Sequence, residues 1–134
     1  MINPTNYLDR LKESGVNFFA GVPDSLLKEF CACVSKNCDQ DTHLITANEG
    51  ASVGLGIGYY LGTGNIPMIY LQNSGLGNII NPVLSLASEK VYGIPMLIMV
   101  GWRGEPGVKD EPQHVHQGKV MIGSLEGMDL PYVV

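Results

Sequence analysis

Clusters of basic residues are missing from this sequence. Its 134 residues include 8 Lys and Arg against 13 Asp and Glu, a formal net charge of −5. With no Lys/Arg run to meet a phosphate backbone, a nucleic-acid partner is not expected. Charge of either sign is scarce: 16 % of residues are charged, against roughly 25 % in ordinary soluble domains. Two packings produce such a deficit, a parallel sheet covered on both faces or a domain that buries surface against a partner, and composition does not separate them. Long apolar runs are also absent. The stretch Ile94 to Val100 falls far short of the ~20 residues that span a bilayer, so no membrane partner is expected. Met1-Ile2-Asn3-Pro4 lacks the basic and apolar regions of a secretory leader, which points to the cytoplasm. Cysteine is limited to Cys31, Cys33 and Cys38. The number is odd, no Cys-x-x-Cys occurs, and i, i+2 positions on a helix face apart. No metal site is expected, and the thiols read as free and reduced.

What is present alternates between two periods. Asn3-Pro4 opens a helix that runs to Gly15. Val16 to Ala20 reads as a short buried strand. Asp24-Ser25 can cap a second helix, ending about Asn37. A strand over Thr42 to Ala47 leads into a glycine-rich helix, Glu49 to Leu61. Glycine costs about 1 kcal/mol inside a helix relative to alanine, so this helix is expected to have something large packed close to it. Pro67 to Leu71 is a third strand, Ser74 to Ala87 a helix, Pro95 to Val100 a fourth strand, and Gln113 to Leu125 a last helix. Pro131 to Val134 reads as the start of one more strand with no helix after it, as in a truncated or split protein. The fold class is α/β, a parallel sheet with helices on both faces, incomplete at its C-terminal end.

Sheets of this kind bind ligands beyond the carboxyl ends of their strands. Four loops lie there: Gly21 to Ser25, Asn48 to Ala51, Gln72 to Asn78, and Gly101 to His114. Glu49 stands at a helix start after a strand; position alone leaves it open between an ordinary helix-terminal acid and a catalytic one. Gly75 and Gly77 form a Gly-x-Gly that lacks a Walker lysine; it suits simple turn chemistry or a planar ring packed on bare backbone. In the long loop, Arg103 could clamp an anion bidentately, Lys109 adds a second cation, and His114 is an acid/base candidate. A solvated surface side chain is the bland alternative for each. His43 and His116 read as structural.

At these loops the chain resembles the thiamine-diphosphate-dependent 2-oxo acid decarboxylases. Ala47-Asn48-Glu49-Gly50-Ala51-Ser52 is similar to their cofactor-activating glutamate motif, and Gln72-Asn73-Ser74-Gly75-Leu76-Gly77-Asn78 to the segment beside the cofactor's aminopyrimidine ring. Phe19 to Ser25 and the stretch from Gly101-Trp102-Arg103-Gly104 to His114 resemble the phosphonopyruvate decarboxylase branch in particular. The resemblance implies a pyrimidine-binding domain over residues 1–134. It implies that Glu49 hydrogen-bonds N1′ of thiamine diphosphate, that Asn73, Ser74, Gly75 and Leu76 border the cofactor, and that His114 is catalytic. Asp24, Ser25, Arg103 and Lys109 become candidates for contacting a small 2-oxo acid.

The family's Mg²⁺ and diphosphate are held by a second domain with a Gly-Asp-Gly motif, which this sequence lacks. The resemblance therefore implies a diphosphate-binding domain or subunit as partner, an oligomer of at least two chains, Mg²⁺ ligands outside this chain, and no activity of the chain alone. The α chain of a sulfopyruvate decarboxylase and a catalytically silent module on the same fold remain the alternatives.

Overall fold

Asn3 and Pro4 act as their chemistry dictates. The Asn3 Oδ1 accepts hydrogen bonds from the main-chain N–H groups of Thr5 (2.9 Å) and Asn6 (3.2 Å), and Pro4 fills the first helical position. In the computed structural model, which describes residues 2–134, this cap opens α1 (Pro4–Glu13). Four strands follow: β1 (Phe18–Gly21), β2 (His43–Ile45), β3 (Pro67–Gln72) and β4 (Leu97–Gly101). Helices α2 (Lys28–Asn37), α3 (Glu49–Thr63), α4 (Leu76–Pro82) and α5 (Pro112–Gly127) connect and cover them. All pairings are parallel, and the strand order is β2-β1-β3-β4. The order reverses between β1 and β3, which is where such sheets open a ligand crevice.

The strands are apolar throughout because both faces are covered. Burial is near-complete on the central strands β1 and β3 and partial on the outer β2 and β4; on the central pair the side chains alternate with period two. Phe18 and Ala20 of β1, with Ile69 and Leu71 of β3, face α3, α4 and α5 through Val53, Ile57, Ile79, Met121 and Leu125. Phe19, Met68 and Tyr70 face α1 and α2 through Leu8, Leu11, Phe30 and Val34. The Phe30 ring meets Phe19 and Tyr70 edge-on, each at 6.4 Å between centroids, and Phe18 stacks on Tyr59 at 4.5 Å. Among the described residues no helix is long and apolar enough to cross a membrane.

The structure departs from the sequence reading in four places. Asp24 caps a turn one step before α2, accepting the Leu26 N–H at 2.8 Å, so the helix starts at Lys28. The long helix expected over Ser74 to Ala87 is three pieces: a 3₁₀ turn (Asn73–Gly75), α4, and a π turn (Val83–Ala87). Pro82 has no N–H for the carbonyl of Asn78, so the regular ladder breaks there. In the glycine-rich α3, Gly50 and Gly56 do meet close neighbours, but a Cβ on Gly54 or Gly58 would meet nothing within 4 Å. Pro131 to Val134 is exposed and forms no strand; it is led by a proline that cannot donate to a ladder.

Beyond β4, the main chain of the long loop lies directly on α5. A Cβ on Gly118 would fall 2.8 Å from the Arg103 carbonyl oxygen and overlap that of Gly104. Trp102 closes this contact by donating Nε1–H to the Gly118 carbonyl at 2.9 Å. Gly123, on the same helix, has no neighbour within 4 Å. Gly118→Ala should thus lose about 1–3 kcal/mol by overpacking, whereas Gly123→Ala should gain up to about 1 kcal/mol from helix propensity. Denaturant unfolding of both variants checks this; a common sign would contradict the backbone contact.

Candidate active site

Thr46 and Asn48 set the start of α3. The Asn48 Oδ1 accepts the Ala51 N–H at 2.9 Å, while the Thr46 hydroxyl donates to the Asn48 carbonyl (2.9 Å) and pairs with the buried Ser52 hydroxyl at 2.5 Å. With both flanks pinned, Glu49 sits at the first helical position, 9 % exposed. Its Oε2 accepts a hydrogen bond from Asn78 Nδ2 at 2.7 Å. Its Oε1 accepts none among the described residues, yet is not sealed from solvent. The carboxyl lies flat against Gly75, where a methyl group would come within 2.5 Å of Glu49 Cγ and Cδ. Only glycine permits that approach.

Asn73, 2 % exposed, uses both ends of its amide on one residue. Nδ2 donates to the Arg103 carbonyl at 2.8 Å, and Oδ1 accepts the Arg103 N–H at 3.3 Å. This ties the end of β3 to the loop after β4. Ser74 is exposed, its hydroxyl accepting from Gln72 Nε2 at 2.6 Å. Leu76 is buried in the core.

Arg103 is where Asp24, Ser25 and the long loop converge. Its Nε and Nη2 grip Asp110 bidentately at 2.8 and 2.5 Å, and its Nη1 donates to Ser25 Oγ at 2.8 Å. Two of its five N–H groups have no partner among the described residues. Asp110 also accepts the Gly104 and Glu111 N–H groups, each at 2.7 Å. The guanidinium and these N–H donors hold the Asp110 carboxyl well below the usual carboxylate range, and Asp110 in turn raises Arg103. Asp24 is buried, with one carboxylate oxygen against Gly101.

Lys109 is exposed and makes no ion pair among the described residues; His114, half-buried in the first turn of α5, makes no side-chain hydrogen bond among them. The structure therefore gathers Asp24, Ser25 and Arg103 at one point and Glu49 with Gly75 at another, joined through Asn73. Sequence reasoning missed Asp110 and Asn78. Asp110 gave no sign beyond being an acid in the same loop as Arg103, and Asn78 stood at the end of the Gly75 motif without a role. Among the described residues no three His, Cys, Asp or Glu side chains cluster as metal ligands.

The Asp110 shift has a testable consequence. Because its folded-state titration is depressed, its contribution to stability is complete above the ordinary aspartate range, about pH 4. It is lost as pH falls toward strongly acid values. Asp110→Asn should unfold more readily at neutral pH and lose less stability than wild type between neutral and acid pH. Thermal melts across that range check this, and parallel curves would count against it.

Comparison with known proteins assigns the chain to a family. Phosphonopyruvate decarboxylase of Streptomyces hygroscopicus is 40 % identical over 129 residues, covering 96 % of this chain and 31 % of that protein. The chain thus spans about a third of the length of that relative. Sulfopyruvate decarboxylase subunit alpha of Methanococcus maripaludis is 38 % identical over 121 residues, covering 90 % of this chain and 69 % of the subunit. In fold, benzoylformate decarboxylase from Polynucleobacter necessarius superposes with a TM-score of 0.61 at 20 % identity, over 89 % of this chain and 23 % of that one. Residues 6–125 match the family described as thiamine pyrophosphate enzyme, N-terminal TPP binding domain, and the chain belongs to that family.

Proposed function

We propose that this chain is the cofactor-activating half of a thiamine-diphosphate-dependent decarboxylase acting on a 2-oxo acid that carries a second anionic group, phosphonopyruvate before others. The observation that carries this reading is the Glu49 carboxyl, buried at the crevice with one oxygen held by Asn78 and the other open beside the bare backbone of Gly75. That arrangement fits the aminopyrimidine end of thiamine diphosphate: a carboxyl oxygen without a hydrogen-bond partner among the described residues, free to meet a ring nitrogen, on a carboxyl that a side chain at residue 75 would displace. The cofactor, when bound, supplies the electron sink for loss of carbon dioxide.

The chain's own residues bind, orient and move protons. Glu49 exchanges a proton at Oε1. Asn73 keeps Arg103 at the crevice, and Ser74 and Leu76 flank Gly75 on the same turn. The two unused N–H groups of Arg103, together with Lys109, suit the phosphonate or carboxylate of the substrate. Asp24 and Ser25 shape the floor beneath it, and His114 is placed for proton transfer on the α5 side. In this reading Mg²⁺ and the diphosphate are held by a diphosphate-binding domain or partner subunit. The assembly is at least a dimer with the cofactor between chains, working in the cytoplasm. That the Methanococcus relative is named as a subunit supports a partner chain. Its 38 % identity also favours sulfopyruvate as the second reading of the substrate.

Two outcomes are expected. The chain assembled with a diphosphate-binding half, Mg²⁺ and thiamine diphosphate should release carbon dioxide from phosphonopyruvate faster than from sulfopyruvate or pyruvate. Glu49→Gln should lower that rate by about 10²–10⁴. Preference for sulfopyruvate would move the substrate assignment, and a folded assembly inactive on all three would favour the silent module. In the active assembly, Lys109→Ala should raise KM roughly tenfold for phosphonopyruvate, the equivalent of one lost ion pair of ~1.4 kcal/mol. Its KM for pyruvate, which lacks the second anionic group, should stay within about twofold. Equal changes for both substrates would take Lys109 out of the phosphonate site.

A further inference from the structure

We infer that Asn78 is a positioning residue for Glu49, one that decides which carboxyl oxygen carries the transferable proton; the inference rests on the reading of Glu49 given above. The two residues are 29 apart in sequence and meet only because the first turns of α3 and α4 touch. That contact is built from bare backbone. A Cβ on Gly50 would lie 2.8 Å from the Asn78 carbonyl oxygen, which has no helical donor because Pro82 stands four residues on. The approach puts Asn78 Nδ2 at 2.7 Å from Glu49 Oε2.

A carboxyl group has two chemically equivalent oxygens until something distinguishes them. The amide N–H of Asn78 can only donate, so Oε2 must present a lone pair to it in either protonation state. The carbonyl-type oxygen of a neutral carboxyl is the better acceptor, so this contact favours the proton on Oε1, the oxygen against Gly75 that makes no hydrogen bond among the described residues. Rotating the carboxyl to exchange the two oxygens would break the Asn78 bond in a setting only 9 % exposed, at the cost of a charge-assisted hydrogen bond. Asn78 itself is exposed, at the rim of the contact, so replacing it leaves the core intact.

The test uses the full assembly with its diphosphate-binding half and two variants. Asn78→Asp keeps the shape and replaces the fixed amide donor by a second carboxyl that competes for the Glu49 proton; Asn78→Gln keeps an amide donor on a longer stem. The kcat of Asn78→Asp should fall about 10- to 100-fold while KM for the oxo acid changes less than about threefold, the mark of an interaction that matters in the reacting state. Asn78→Gln should recover a substantial part of the loss. Glu49→Gln added to Asn78→Asp should cost little more than Glu49→Gln alone, because the two act as a unit. A second readout needs no substrate. In the cofactor-free protein the ¹⁵N–¹H side-chain amide signal of Asn78 should be protected from exchange, and Glu49→Ala should abolish that protection. Wild-type kcat in Asn78→Asp, or an Asn78 amide signal indifferent to Glu49→Ala, would overturn the inference. An assembly inactive on every oxo acid would sink the decarboxylase reading instead, and the amide spectrum would still decide the Asn78–Glu49 pairing.

Discussion

The carboxyl of Glu49 lies on backbone that has no side chain, and the rest of the site is arranged around that contact. Gly75 can present bare backbone there because β3 ends in a single 3₁₀ turn before α4 begins. A regular helix from Asn73 onward would place its groups differently. The turn also sets Asn73, two residues earlier, where its amide clasps both polar groups of the Arg103 main chain. Position and charge are thereby linked: the turn that bares a surface beside Glu49 also ties down the loop that carries the cations.

Much of this was legible in the sequence, for identifiable reasons. The parallel sheet follows from short, wholly apolar strands separated by helix-length segments, and each of the four expected strands forms with ends shifted by a few residues. Glu49 could be placed at a helix start after a strand because Asn48 is a strong cap. The glycines of α3 misled in part. Gly50 and Gly56 answer to close neighbours, but Gly54 and Gly58 face open space, which a count of glycines does not distinguish. The break at Pro82 was readable from proline chemistry alone. The Asn78–Glu49 and Arg103–Asp110 pairs were not readable. The first depends on two helix turns meeting in space. The second depends on a loop of eight residues folding back so that a carboxylate matches a guanidinium, and no periodicity encodes that.

Arg103 shows why a residue's charge and its availability have to be separated. From sequence it is a cation in a loop near a crevice. In the structure its charge is met by Asp110, with side chains 17 % and 14 % exposed. A pair of that kind contributes geometry more than attraction, since desolvation offsets much of the Coulomb gain. It fixes the plane of the guanidinium and so the direction of its two remaining N–H groups. Lys109 is the opposite case, an exposed cation with a flexible stem and no ion pair among the described residues. One cation orients and the other attracts.

That division bears on how a protein of net charge −5 could take the anionic substrate proposed for it. At physiological salt, exposed charges more than ~8 Å apart are largely screened, so the acids scattered over α1, α2 and the loops weigh little at the crevice. What counts is the handful of groups within reach of the bound molecule. In this chain those come from the loop after β4, while the sheet and its covering helices supply the platform. The platform is shared with a protein only 20 % identical. Under the proposed function, this chain's share in discriminating between 2-oxo acids falls to the loop between Gly101 and His114, held in place by the Gly104–Gly118 contact on one side and by Asn73 on the other.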